Sequence, residues 1–236
     1  MNKKLIKVSL GLIILFAFVY INNSSLFVTD PSKPPFLLAH RGLAQTFPID
    51  GITADTNTAE IIYEPEHPFL ENTIDSIAAA FAEGADMVEL DIHPTVDGQF
   101  AVFHDWILDY RTDGTGVTRE HSIAQLKELD VGYGYTADGG KTFPFRGKGI
   151  GLMPSLDEVL DSFPEHELLI HIKSNDPKEG ELLAQYLSTL TETELNYLTV
   201  YGGDEPIAVL QDRLPQLRVM SKNTMQKALL TYMATS

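Results

Sequence analysis

Two carboxylates and a histidine stand at alternate positions of one short apolar segment: Glu89, Asp91 and His93 within Met87–His93. As a strand, this segment puts Val88, Leu90 and Ile92 on one face and Glu89, Asp91 and His93 on the other. Two inward carboxylates repel one another and lose hydration, and a divalent cation relieves both costs. The segment Leu168–Lys173 repeats the pattern, with Leu168, Ile170 and Ile172 alternating with His171 and Lys173. His171 could ligate a metal, and Lys173 could hold a phosphate oxygen as a point charge.

Two further histidines end apolar runs. His40-Arg41-Gly42 closes Phe36–His40, and Ala101-Val102-Phe103-His104 is followed by Asp105. One imidazole can take a proton while a second protonates a leaving alkoxide, which suits phosphodiester cleavage. Arg41 offers a planar fork for a phosphate, and Gly42 lets the backbone approach closely. His67, His93, His121 and His166 read as structural.

These residues need elements to hold them. Strand-like segments at 36–40, 87–93, 101–104, 168–173, 198–201 and 217–220 alternate with helical ones. Glu71–Glu83 presents Ile74, Ile77, Ala78 and Phe81 on one helical face, and Ser155-Leu156-Asp157-Glu158 is a capping box. Pro177 suits the first turn of a helix. The alternation predicts a TIM (β/α)8-type barrel with parallel strands, ending after about six of the eight units that closure requires. No G-x-G-x-x-G or Walker motif marks a nucleotide site. Two irregular stretches, from His40 to Glu71 and from Gly132 to Gly151, are expected to rim the pocket.

The chain of 236 residues has a net charge of −16 and a pI near 4.7. That balance argues against nucleic-acid binding, and it requires local positive charge wherever an anionic substrate sits. There are no cysteines, so thiol nucleophiles, disulfides and Cys-ligated zinc are excluded. Lys3, Lys4 and Lys7 precede an apolar run from Val8 to Ile21, which reads as a signal-anchor or signal peptide over residues 1–21. The expectation is a membrane-anchored protein whose catalytic domain lies on the extracytoplasmic side. Residues 22–35, with three prolines near their end, read as a linker, and 36–236 as the barrel domain.

In order, Leu38-Ala39-His40-Arg41-Gly42, Glu71-Asn72-Thr73, Glu89-Leu90-Asp91, Val102-Phe103-His104-Asp105 and Ile172-Lys173 resemble the motifs of the glycerophosphodiester phosphodiesterases. The resemblance implies a TIM barrel that cleaves glycerophosphodiesters to glycerol 3-phosphate and an alcohol, by way of a cyclic phosphate if the adjacent glycerol hydroxyl attacks. It implies that His40 and His104 are the acid–base pair and that Glu89 and Asp91 ligate Mg²⁺ or Ca²⁺. Arg41 and Lys173 would contact the phosphate, and Glu71 would lie near the metal or orient Arg41. Three departures stand out. His171 occupies the third metal position, where the family usually has a carboxylate, and favours Mn²⁺ or Zn²⁺ more than a carboxylate would. The segment between His40 and Glu71 is longer than usual, and the last two β/α units are missing. Two alternative readings are lysophospholipid cleavage of the phospholipase D type and a non-catalytic binding module.

Overall fold

The computed structural model describes residues 3–22, 24, 34–53 and 56–235. Most of the expected linker at 22–35 lies outside the described residues. The chain divides into two compact units, one containing helices α1 (Lys3–Asn22) and α8 (Lys222–Thr235), the other spanning Phe36–Ser221.

The larger unit is built on a sheet of β1 (Leu38–His40), β2 (Met87–Pro94), β3 (Phe100–Val102), β4 (Glu167–Ile172), β5 (Leu198–Gly202) and β6 (Arg218–Ser221). Five strands run parallel in the order β1-β2-β4-β5-β6, while β3 pairs antiparallel with β2. The two strands are joined by a tight turn in which Gly98 has φ of +77°. Only residues 95–99 separate β2 from β3, and a parallel crossover needs a dozen or more.

One face of the sheet is apolar. Val88, Leu90, Ile92, Leu168, Ile170, Ile172, Leu198 and Val200 are buried there. Against them pack Ile77 and Ala80 of α2 (Ile74–Ala82), and Leu156 and Val159 of α4 (Leu156–Ser162). Leu183 and Leu187 of α5 (Pro177–Leu187) and Leu210 of α7 (Asp204–Arg213) complete the layer. Side chains cap the starts of α2, α4 and α5, whereas α7 begins at Gly203 without a side-chain cap. Thr73 and Ser76 form a capping box for α2, Ser155 and Glu158 one for α4, and Asp176 caps α5 with Pro177 in its first turn. Two four-residue helices, α3 (Ile123–Leu126) and α6 (Glu192–Leu195), are capped in the same way.

The irregular stretches are not open excursions. Ala59, Ile62 and Leu70 from the first join Tyr135 and Phe145 from the second in a separate buried cluster, with Phe103, Leu108, Leu126, Val131 and Met153. They form a second core beside the sheet.

Among the described residues no helix is long and apolar enough to cross a membrane.

Candidate active site

The polar face of the sheet is set by the same two-residue period that buries the other face. Parallel register aligns His40 with Glu89, and puts Asp91, His171 and Tyr201 in one row across β2, β4 and β5. Glu89 and Asp91 are almost wholly buried. His171 Nδ1 lies 2.9 Å from Asp91 Oδ1 and 3.8 Å from Glu89 Oε1. Such spacings suit neighbouring ligands of one ion with bonds of about 2.0–2.6 Å. Glu89, Asp91 and His171 offer ligand atoms all within 4.8 Å of one another.

Glu89 carries the clearest sign of an electropositive partner. Its Oε1 accepts a 2.7 Å hydrogen bond from the Tyr201 hydroxyl, while Oε2 is buried with no hydrogen-bond partner. Burial, and then the charge of Asp91, push the Glu89 carboxyl above its usual range. Asp91 goes the other way. Its burial is outweighed by the hydrogen bond from His171 and then by the charges of His104, Lys173 and Arg41, so its carboxyl stays well below the usual range. A deeply buried carboxylate atom that lacks a donor, beside a second carboxylate and an imidazole, fits a divalent cation.

Two cations flank this cluster. Lys173 Nζ lies 3.3 Å from Asp91 Oδ1, and Arg41 Nε lies 3.3 Å from Asp91 Oδ2. Arg41 also donates from Nη1 to Glu71 Oε1 at 3.0 Å. Its backbone is left-handed, with φ of 62°, and so is that of Asn72, with φ of 58°. Asn72 ties the two regions together, accepting from the Asp91 N–H at 3.2 Å and donating to Asp91 Oδ2 at 3.3 Å. The next residue, Gly42, has φ of +79°, and a Cβ there would stand 2.6 Å from Ser76 Oγ and 2.7 Å from the Ser76 carbonyl carbon. Glycine is required at that position.

The two histidines differ in their surroundings. His40 Nε2 lies 3.8 Å from Glu89 Oε2. Partial burial first, and then the Arg41 guanidinium, lower its pKa below the usual value, although 64% of the side chain meets solvent. His104 is about three-quarters buried, and its Nδ1 lies 2.6 Å from Asp105 Oδ1. Asp105 is in turn bound by Arg111 Nη1. Arg111 is buried and also donates to Thr58 Oγ1 at 2.6 Å, Glu71 Oε2 at 3.4 Å and Tyr135 Oη at 3.2 Å. His93, read as structural, is fully buried with Nε2 3.3 Å from the His104 carbonyl and its ring edge-on to Trp106. Burial pushes its pKa down to about 4.

Every residue expected at the site falls within this constellation: His40, Arg41, Glu71, Glu89, Asp91, His104, His171 and Lys173. Arg41 and Lys173, expected on a phosphate, rest here against Asp91 and Glu71. Tyr201, Asn72 and Arg111 were not anticipated. Tyr201 stacks on His171 with ring centroids 4.2 Å apart and 9° between planes, which only the β4–β5 register could have disclosed.

The parallel sheet thus gathers carboxylates, imidazoles and cations at its strand ends. The family model for the glycerophosphoryl diester phosphodiesterase family matches residues 40–212, and the chain belongs to that family. A glycerophosphodiester phosphodiesterase of Bacillus subtilis strain 168 is 38% identical over 122 residues, covering 50% of this chain and 39% of that protein. A glycerophosphodiester phosphodiesterase of Caldanaerobacter subterraneus is 35% identical over 103 residues, covering 44% of this chain and 39% of its own length. The matches thus span less than half of these relatives. Among solved structures, the phosphodiesterase domain of Rv2277c from Mycobacterium tuberculosis superposes with a TM-score of 0.63 at 22% identity, over 84% of this chain and 64% of that one. An Oleispira antarctica phosphodiesterase in complex with its product sn-glycerol-3-phosphate gives a TM-score of 0.55 at 20% identity, over 84% of this chain and 72% of that one. These structures share the parallel-sheet, TIM-barrel-like fold.

Proposed function

We propose that the chain hydrolyses glycerophosphodiesters to glycerol 3-phosphate and an alcohol, with a divalent cation held by Glu89, Asp91 and His171. The observation that carries this reading is the buried Glu89 Oε2, which has no hydrogen-bond partner, beside Asp91 and His171, with Arg41 and Lys173 at hand to receive a phosphate. When bound, the cation would neutralise charge on the phosphate oxygens. Arg41 and Lys173 hold the anion, Arg41 through a planar fork and Lys173 as a point charge. One imidazole of the pair His40 and His104 takes the proton of the attacking hydroxyl or water as the new P–O bond forms. The other protonates the alcohol oxygen as its bond to phosphorus breaks. Mg²⁺ and Ca²⁺ favour carboxylates, and His171 extends the choice to Mn²⁺ or Zn²⁺.

The test is release of glycerol 3-phosphate from glycerophosphocholine or glycerophosphoethanolamine by the full chain, before and after EDTA and with each cation restored. Turnover that ignores chelation overturns the cation role, and absence of turnover with every cation overturns the activity. The family match favours neither the lysophospholipid reading nor the binding-module reading. The extracytoplasmic placement of residues 36–236 rests on the sequence of residues 1–21 alone, and protease accessibility in intact cells tests it.

A further inference from the structure

We infer that Asp105 and Arg111 are positioning residues that fix the tautomer and the ring orientation of His104. The inference rests on the hydrolytic reading above for its consequence, but not for its geometry. Asp105 Oδ1 lies 2.6 Å from His104 Nδ1, and its other oxygen is taken by Arg111 Nη1. The carboxylate is therefore gripped from behind by a cation and faces the imidazole with its remaining oxygen. An ionised carboxylate only accepts, so His104 Nδ1 carries the hydrogen and Nε2 is left with its lone pair. An imidazole held in this way takes a proton at Nε2, and its cation is stabilised by the carboxylate behind it, the logic of an Asp–His pair in other hydrolytic sites.

The ionised state of Asp105 has its own cause. Burial, which opposes ionisation, is outweighed by the Arg111 charge and the contact with His104, so the carboxyl lies below its ordinary value. Arg111 is held in turn on every donor-bearing edge. It meets Glu71 Oε2, Thr58 Oγ1 and Tyr135 Oη besides Asp105. Thr58 comes from the first irregular stretch and Tyr135 from the second. Glu71 also holds Arg41. A single buried guanidinium thus connects the His104 imidazole, the Arg41 fork and both loops. Among the described residues His40 has no such support, with Glu89 Oε2 3.8 Å away. The pair is asymmetric by construction: His104 is oriented from behind, and His40 stands at the solvent edge.

The experiment is ¹⁵N–¹H NMR of the histidine rings in the full chain, compared with Asp105→Asn, alongside steady-state kinetics on glycerophosphocholine. The wild type should show the Nδ1–H tautomer at His104, and Asp105→Asn should lose it. Its kcat should fall about 10²- to 10⁴-fold with KM within a few-fold, the range for a misplaced acid–base group. Arg111→Lys, which keeps the charge but not the fork, should give an intermediate loss of kcat, and Asp105→Glu should recover part of it. A wild-type His104 protonated on Nε2, or an Asp105→Asn protein whose tautomer and kcat match the wild type, overturns the inference. The NMR arm needs no turnover. If the wild type cleaves none of the diesters yet keeps an Asp105-dependent Nδ1–H, the hydrolytic reading fails and the positioning stands.

Discussion

His40 and His104 reach the same edge of β2 from opposite directions. β1 runs parallel to β2 and ends with His40 opposite Glu89, after which the Arg41 N–H donates to the Glu89 carbonyl at 2.9 Å. β3 runs antiparallel, pairing Val102 with Ile92, and the Phe103 N–H then donates to the Asp91 carbonyl at 3.0 Å. Ile92 is also paired with Ile172 of β4, so β3 must lie on the edge that β1 occupies lower down. The two imidazoles are thereby delivered to the strand that carries both carboxylates.

Replacing either imidazole should therefore remove chemistry without removing the fold. His40→Ala and His104→Ala are each expected to lower kcat about 10²- to 10⁴-fold, while His40→Ala, at a largely exposed side chain, leaves the melting temperature within a degree or two. Stopped-time assays of glycerol 3-phosphate with parallel calorimetry check both. Wild-type turnover in both variants would end the acid–base assignment.

Glu89→Gln separates stability from cation binding. In the metal-free protein it neutralises a buried carboxyl that is already pushed toward its protonated form, so the melting temperature should hold or rise. The additional stabilisation seen on adding Mn²⁺ or Mg²⁺ to the wild type, which follows from mass action, should largely disappear. Titration calorimetry together with thermal melts reads both effects. Equal cation affinity in the two proteins would move the site elsewhere.

Tyr201→Phe keeps the ring on His171 and deletes the hydroxyl that donates to Glu89 Oε1. Removing a hydrogen bond that orients a ligand is expected to weaken cation affinity about 10- to 100-fold. Tyr201→Ala, which also removes the stack, should weaken it further. The ordering of the three dissociation constants is the readout, and an unchanged constant in both variants contradicts it.

Gly42→Ala tests the backbone beneath Arg41. The left-handed φ of +79° and the approach to Ser76 combine strain with a clash against main chain. The expected loss is about 1–3 kcal/mol, with reduced substrate affinity as Arg41 shifts. Chemical denaturation and KM measure it, and a stability equal to wild type would show that Ser76 yields freely.

Acid should loosen the site before neutral pH does. Glu71 is buried, but the charges of Arg111 and Arg41 outweigh that burial and lower its pKa, and Asp105 is lowered chiefly by Arg111 against its own burial. A carboxyl depressed on folding means that the unfolded chain binds more protons. Stability is then fully present above the unfolded carboxylate values of about 4 and falls as pH drops below them through the folded ones. Urea midpoints measured between pH 7 and pH 3 should decline most steeply below about pH 4.5, and Asp105→Asn should flatten that decline.

Much of the site was legible from period alone. Glu89, Asp91, His171 and Lys173 are found by reading alternate residues on two apolar segments, because a strand buried on one face leaves no freedom about the other. His40 and Arg41 follow from their place at a strand end. The antiparallel direction of β3 was also within reach, since five residues cannot carry a crossover and Asp97-Gly98 marks a turn. Tyr201 could not be read, because its partner His171 is set by register between strands about thirty residues apart. Arg111 was hidden for another reason. A buried cation has no periodic signature, and its partners are scattered: Thr58 and Glu71 in and at the end of the first irregular stretch, Tyr135 in the second, and Asp105 just after β3.

The second core carries an entropic consequence. Apart from Ala101 of β3, its members, from Ala59 to Met153, lie outside the strands and gather around Phe103 and Leu108. β2 and β4 pair across the segment that supplies most of these residues, from Phe103 to Met153. The loop that closes to bring His171 beside Asp91 is thus the loop that packs around Arg111 and His104, and one entropic cost of closure serves both.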